Sequence, residues 1–293
     1  MSEEQVEYLI DEIFCNKYKL EKLVGIGGMA YVFQAQHLQF EGSKLAIKLL
    51  FHHLLQDPLM QFRFRKEASL QFNLSHPNIV RVIDFIEERG HLGIVMDWIE
   101  GCSLNAWLAA QNFPLDPNLM LALMTPICEG VHYAHACDVV HRDLKPGNIL
   151  LTNNRLNQTI PKILDFGIAK AFDDNQLKTK TGISLGTPAY MSPEQIRGER
   201  DIDHRTDLYA LGVLTFLLLT GVSPFERSSS IKTVMAHIED PIPRLKQSCR
   251  GVDTRFQRVL DKAMAKSRDA RYDSVEDFLS DLHHCIYSQR NVS

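Results

Sequence analysis

The chain changes character once, near Gly101, and that change limits what it can fold into. From Tyr18 to Met96 it reads as strands with one inserted helix. Tyr31-Val32-Phe33, Leu45 to Leu50, Val80 to Ile86 and Leu92 to Met96 are short runs rich in strand-forming residues. Leu59 to Leu74 predicts a helix, because Phe64, Ala68 and Phe72 recur on one side of it. His76-Pro77-Asn78 then stops it. After Gly101 the pattern is mainly helical. Asp116-Pro117 is an N-cap followed by a first-turn proline, opening a helix to about Cys137 that Pro126 should kink. The apolar run Leu208 to Leu219 is too short to span a bilayer and predicts a buried helix. Ser274-Val275-Glu276-Asp277 resembles a capping box for a last helix to about Tyr287. The expected architecture is α+β in two lobes. Residues 1–17 form a short, partly helical leader, 18–97 a β-rich small lobe and 98–290 a helical large lobe, hinged at Met96 to Gly101.

At 293 residues the chain can build two lobes with cores. A net charge of -4 offers no global basic field, which argues against a nucleic-acid partner. The six cysteines form no CxxC pair, so reduced thiols are expected. Met1-Ser2-Glu3-Glu4 lacks the basic start of a signal peptide, so a cytoplasmic placement is expected.

The chemistry concentrates in His141-Arg142-Asp143-Leu144-Lys145-Pro146-Gly147-Asn148. In an extended stretch, Asp143 and Lys145 share a face. A carboxylate that accepts a hydroxyl proton, an ammonium that holds a phosphate and an amide that ligates a metal suit phosphoryl transfer. Gly25-Ile26-Gly27-Gly28 can bring backbone amides to phosphate oxygens. A dinucleotide-binding turn needs a helix directly after its glycines. Tyr31-Val32-Phe33 reads as strand instead, which favours a hairpin lid. Lys48 shares a strand face with Ala46, while Leu45, Ile47 and Leu49 take the other. Glu67 lies on the inward face of the inserted helix and needs a cation, for which Lys48 is the candidate. Asp165-Phe166-Gly167 follows a strand and suits a magnesium ligand, with Asn148 as the second oxygen donor.

These motifs, with His76-Pro77-Asn78-Ile79-Val80 and Gly186-Thr187-Pro188-Ala189-Tyr190-Met191-Ser192-Pro193-Glu194-Gln195, resemble a bacterial, eukaryotic-like serine/threonine protein kinase over residues 18 to 285. The resemblance implies a bilobal fold and transfer of the ATP γ-phosphate to serine or threonine hydroxyls of proteins, with Mg2+ or Mn2+. It implies Asp143 as catalytic base and Lys145 on the γ-phosphate. Asn148 and Asp165 would hold the metal, and Lys48, held by Glu67, the α- and β-phosphates. Val24, Val32, Ala46 and Leu150 would clasp the adenine, Asp97 and Ile99 would bond its edge, and Met96 would be the gatekeeper. The lid would be Gly25, Ile26, Gly27 and Gly28. Thr187 would contact Asp143 and Lys145, and Glu194 would pair with Arg271. Arg142 would bind a phosphate on Thr179 or Thr181, placed by autophosphorylation. A homodimer through the small lobe and a membrane-anchored longer form are further implications.

Ala30 stands at the lid's third glycine position, Ser192 replaces an alanine, and Gln71 replaces an apolar residue. The competing reading is a pseudokinase or scaffold that binds nucleotide without transfer. The presence of Lys48, Asp143, Asn148 and Asp165 weighs against it. A small-molecule phosphotransferase is weaker, because the segment around Gly186-Thr187-Pro188 suits peptide recognition.

Overall fold

The computed structural model of the chain describes residues 6–166, 188–245 and 254–287. The chain divides into two units, Met1–His76 with Val80–Glu100 and Pro77–Ile79 with Gly101–Ser293. The expected break at residue 97 thus falls three residues later, and residues 77–79 cluster with the second unit.

The first unit contains β1 (Ile13–Phe14), β2 (Tyr18–Ile26), β3 (Ala30–His37), β4 (Lys44–Leu50), α1 (Pro58–Phe72), β5 (Val82–Glu88) and β6 (His91–Asp97). The strands form a six-stranded sheet in the order β1-β2-β3-β4-β6-β5, antiparallel throughout. Register sorts its two faces. Val32, Lys48, Ile94 and Phe85 lie in one cross-strand row, and Gln34, Ala46, Met96 and Val82 in the next. Directly opposed residues share a face, so Lys48 and Ala46 lie together as expected. The other face carries Phe33, Ala35, Leu45, Ile47, Leu49 and Val95, all in one buried cluster.

The leader belongs to that cluster. Val6, Leu9 and Phe14 are buried against it. Besides a 3-10 turn at Glu7–Leu9, the leader supplies β1, whose Ile13 and Phe14 pair with Lys19 and Tyr18. Two residues are too short for alternation to show, which hid this strand in the sequence. Phe14 is 1% exposed and meets the His91 ring edge-on at 5.4 Å. Its truncation removes well-packed apolar volume. Phe14→Ala should therefore cost about 3 kcal/mol in urea unfolding, and Ile13→Ala, at the exposed neighbour, under about 1 kcal/mol.

Helix α1 starts where Asp57 accepts from Leu59 N at 2.9 Å and Met60 N at 3.4 Å, with Pro58 in the first turn. Its buried side is Arg63, Phe64, Glu67, Ala68 and Gln71. Phe64 meets Phe85 at 6.2 Å, on the Lys48 face. Phe72, expected on that side, is exposed. Three and four residue steps drift around a helix, and Gln71 takes the inward place. It donates Nε2 to the Val80 carbonyl at 3.2 Å, so the polar replacement is satisfied.

The second unit has β7 (Cys102–Ser103), α2 (Leu104–Ala109), α3 (Pro117–Ala136), β8 (Ile149–Asn153), β9 (Thr159–Ile163), α4 (Pro193–Arg197), α5 (Arg205–Thr220), α6 (Ser230–Glu239), α7 (Thr254–Ala263) and α8 (Val275–Tyr287). The Asp116 side chain caps α3 through Asn118 N, and the helix continues past Pro126. Ser274 caps α8, accepting from Asp277 N at 3.0 Å. Helix α5 is the central pillar, with Leu208, Leu211, Leu214 and Leu218 fully buried. Gly212 sits where a Cβ would meet Ala263 at 2.9 Å and Met264 at 2.8 Å, so its missing side chain lets α7 approach. Among the described residues no helix is long and apolar enough to cross a membrane.

Candidate active site

The expected functional residues sort onto two sets of elements. The first unit carries Val24, Gly25, Ile26, Gly27, Gly28, Val32, Ala46, Lys48, Glu67, Met96, Asp97 and Ile99. Lys48 on β4 and Glu67 on α1 are 8% and 2% exposed, and Lys48 Nζ lies 2.7 Å from Glu67 Oε1. A buried carboxylate opposite a buried ammonium holds the lysine stem in one direction. Met96 is buried opposite Ala46. Asp97 donates its N–H to the Arg81 carbonyl at 3.1 Å, and Ile99 is half-buried.

The glycine-rich segment is a hairpin between β2 and β3, closed by Gly27 N–H on the Ala30 carbonyl at 2.8 Å. A Cβ built on Gly25 or Gly28 meets nothing within 4 Å, so the polypeptide itself does not require glycine there. What a side chain would obstruct is an approaching ligand. Ala30, at the third position, buries its methyl at 1% exposure, which accounts for that departure. Val24 and Ile26 are exposed.

The second unit carries Arg142, Asp143, Lys145, Asn148, Leu150, Asp165, Glu194 and Arg271. Lys145 is extended and reaches Asp143 Oδ2 with Nζ at 2.9 Å. Asn148 Nδ2 donates to the Asp143 carbonyl at 2.8 Å and to its Oδ2 at 3.0 Å. With both bonds made from nitrogen, Asn148 Oδ1 is left as an acceptor. Asp165 takes a left-handed φ of 40°, followed by the fully buried Phe166, which packs on the His141 ring at 4.7 Å. Leu150, half-buried on β8, is paired with Lys162 and Ser103.

The loop is anchored by residues that its own motif does not contain. Asp207, 1% exposed at the head of α5, accepts from His141 N and Arg142 N, each at 2.8 Å. His135 Nε2 lies 2.8 Å from the same carboxylate. Burial pushes the Asp207 carboxyl up, but His135 and the backbone donors outweigh it and hold it below the usual carboxylate range. These bonds hold Arg142 in its left-handed conformation, φ 63°. Gln195 adds a bond from Nε2 to the Arg142 carbonyl at 2.7 Å. His141 accepts from Asp143 N at 3.2 Å through Nδ1 and bonds the Leu164 carbonyl at 2.9 Å through Nε2. That pattern fixes the Nε2–H tautomer, and burial holds the ring below its ordinary range. Asp207 was legible only as a lone acid heading an apolar run.

Arg271 meets Glu194 bidentately, at 2.6 Å and 2.7 Å, as expected. Ser192 is buried but satisfied: it caps α4 and lies 2.7 Å from Thr206 Oγ1. Gly167, Thr179, Thr181, Gly186 and Thr187 fall outside the described residues.

The model of the protein kinase domain family matches residues 18–291. The chain belongs to that family. The kinase domain is 36% identical over 282 residues to the serine/threonine-protein kinase pkn3 of Myxococcus xanthus, covering 94% of this chain and 51% of that protein. It is also 36% identical to the serine/threonine-protein kinase PrkC of Bacillus subtilis, covering 96% of this chain and 42% of that one. It thus spans about half the length, or less, of these curated relatives. Among solved structures, the Mycobacterium tuberculosis PknI kinase domain superposes with a TM-score of 0.73 at 28% identity, covering 94% of this chain and 98% of that one. The kinase domain is therefore of the bacterial, eukaryotic-like serine/threonine type, with the α+β kinase fold. Membership implies the use of ATP, a divalent metal and protein substrates.

Proposed function

We propose that the domain transfers the ATP γ-phosphate to serine and threonine hydroxyls of proteins, with Mg2+. The observation that supports this most is the convergence of Lys145 and Asn148 on Asp143 Oδ2. Asp143 takes the acceptor hydroxyl proton, and Lys145 steadies the transferred group. Asn148 Oδ1 and the Asp165 carboxylate are hard oxygen donors that would suit Mg2+. A metal held there would neutralise phosphate charge. Lys48, steered by Glu67, meets the α- and β-phosphates under the Gly25-to-Gly28 lid. Val24, Val32, Ala46 and Leu150 clasp the adenine, the backbone of Asp97 and Ile99 bonds its edge, and Met96 limits its depth.

Arg142 is the receiver for a phosphate on Thr179 or Thr181. Burial pulls its guanidinium below its ordinary range, while Asp207 acts the other way. A phosphate dianion would favour the charged form. Thr187 would contact Asp143 and Lys145, the role its family counterpart has. Pairing of two copies through the small unit would use a surface other than the sheet face that Val6, Leu9 and Phe14 cover. Incubation with Mg-ATP followed by mass mapping tests the reading. Phosphate is expected on Thr179 and Thr181, and active enzyme with both unmodified would overturn that assignment.

A further inference from the structure

The leader is bonded to the root of the lid strand. It lies ahead of residues 18–291, which the family model matches. Asp11 N donates to the Leu20 carbonyl at 2.9 Å, and Leu20 N donates to the Glu12 carbonyl at 3.0 Å. Among the described residues these are the last backbone bonds between the leader and β2. Beyond them β2 is irregular, with register shifts between Leu20 and Lys22 and between Leu23 and Gly25. Such a bulge leaves a residue unpaired and bends the strand. Residues 22–26 pair on one side only, with β3.

A groove of about 510 Å3 borders the same five residues, and the leader's Val6 and Ile10 line it from across the gap. Val6 is 2% exposed within the core cluster, so that wall is fixed. Ile10 is half-buried and packs on the same cluster, as does Leu23. The cluster lies on the sheet face opposite Lys48. A strand held from one side, bent twice and bordered by open space has few contacts to oppose its displacement. Toward this face, displacement carries the Gly25-to-Gly28 hairpin away from the Lys48 side.

We propose that Ile10 is a positioning residue for ATP: its side chain limits how far the root of the lid swings into the groove. The proposal rests on the reading of Gly25 to Gly28 as the nucleotide lid. Ile10 acts through the strand and not on the nucleotide. It sets the fraction of molecules whose lid is placed to bind.

Titration with a fluorescent ATP analogue tests it, using Ile10→Ala and Ile10→Phe. Alanine widens the groove, and the apparent Kd should rise about fivefold, because apparent affinity falls with the binding-competent fraction. Phenylalanine fills part of the groove, and Kd should fall about threefold by the same relation. KM for a basic protein substrate should stay within about twofold in both. A merely structural role would not give opposite shifts, since lost volume and excess volume both cost stability. Ile13→Ala, in the leader but off the groove, should leave Kd unchanged. If the Phe variant does not fold, Ile10→Val takes its place, with a Kd between those of the wild type and Ile10→Ala. An unchanged Kd in the folded variants, a rise with Phe as well as Ala, or an equal rise in Ile13→Ala would each overturn the proposal alone. Gly27→Val tests the reading beneath it. A Cβ at Gly27 meets only the Ala30 carbonyl oxygen, at 3.4 Å, so the hairpin has room for it, and ATP binding should weaken. Unchanged binding in that variant overturns the lid and the proposal together.

Discussion

Asp143→Asn should reduce transfer of radiolabelled phosphate to a basic protein by about 10^3-fold, in the range expected for loss of a general base. The wild type's Asp143 Oδ2 accepts from Lys145 at 2.9 Å and from Asn148 at 3.0 Å. An asparagine keeps the shape and one acceptor oxygen but loses the negative charge. It can no longer take the hydroxyl proton, and it no longer balances Lys145. The loop backbone is held from elsewhere, by Asp207 on His141 and Arg142 and by Gln195 on the Arg142 carbonyl. Folding should therefore lose only about 1 kcal/mol, and binding of a fluorescent ATP analogue should stay within about threefold. The split between lost transfer and retained binding separates a kinase from a nucleotide-binding scaffold. Transfer within a factor of about three of the wild type would remove Asp143 from the mechanism.

The sequence showed what local chemistry determines. Asp116 and Ser274 cap their helices because a short oxygen side chain before a helix has few better uses. Lys48 and Ala46 share a face because strand side chains alternate. The pairing of Lys48 with Glu67 was reachable because an inward carboxylate needs a cation, whereas that of Glu194 with Arg271 came only from the family resemblance. What stayed hidden is the support around the site. Asp207 is 65 and 66 residues from the loop residues it holds, and no local rule links an acid at a helix head to a distant backbone. Gln71 could be named as a departure, but its bond to Val80 is a tertiary contact. The strand Ile13–Phe14 exists because the exposed edge of β2 offers it a partner. Phe72 lies outside α1's buried face because tertiary packing, and not spacing alone, chose that face.

Lys48→Met should both stop transfer and destabilise the first unit by about 3 to 5 kcal/mol, because removing one partner strands the other charge in the interior. The side chains of Lys48 and Glu67 are 10% and 3% exposed, at 2.7 Å, so water cannot take over the role of the lost ammonium. A buried carboxylate without its cation takes up a proton more readily. The destabilisation should therefore shrink as the unfolding assay moves from about pH 8 to about pH 5. Glu67→Leu added to Lys48→Met removes the stranded charge and should restore most of the stability, since apolar pairs of similar volume often replace buried ion pairs without loss. It should restore no activity, because no cation is left to meet the α- and β-phosphates. The two readouts then move apart: stability returns in the double variant while phosphoryl transfer stays down by at least about 10^2-fold. If the wild type, Lys48→Met and the double variant were equally stable, the pair would contribute nothing to folding. If Lys48→Met still transferred phosphate at the wild-type rate, the steering role of Glu67 would fall with it.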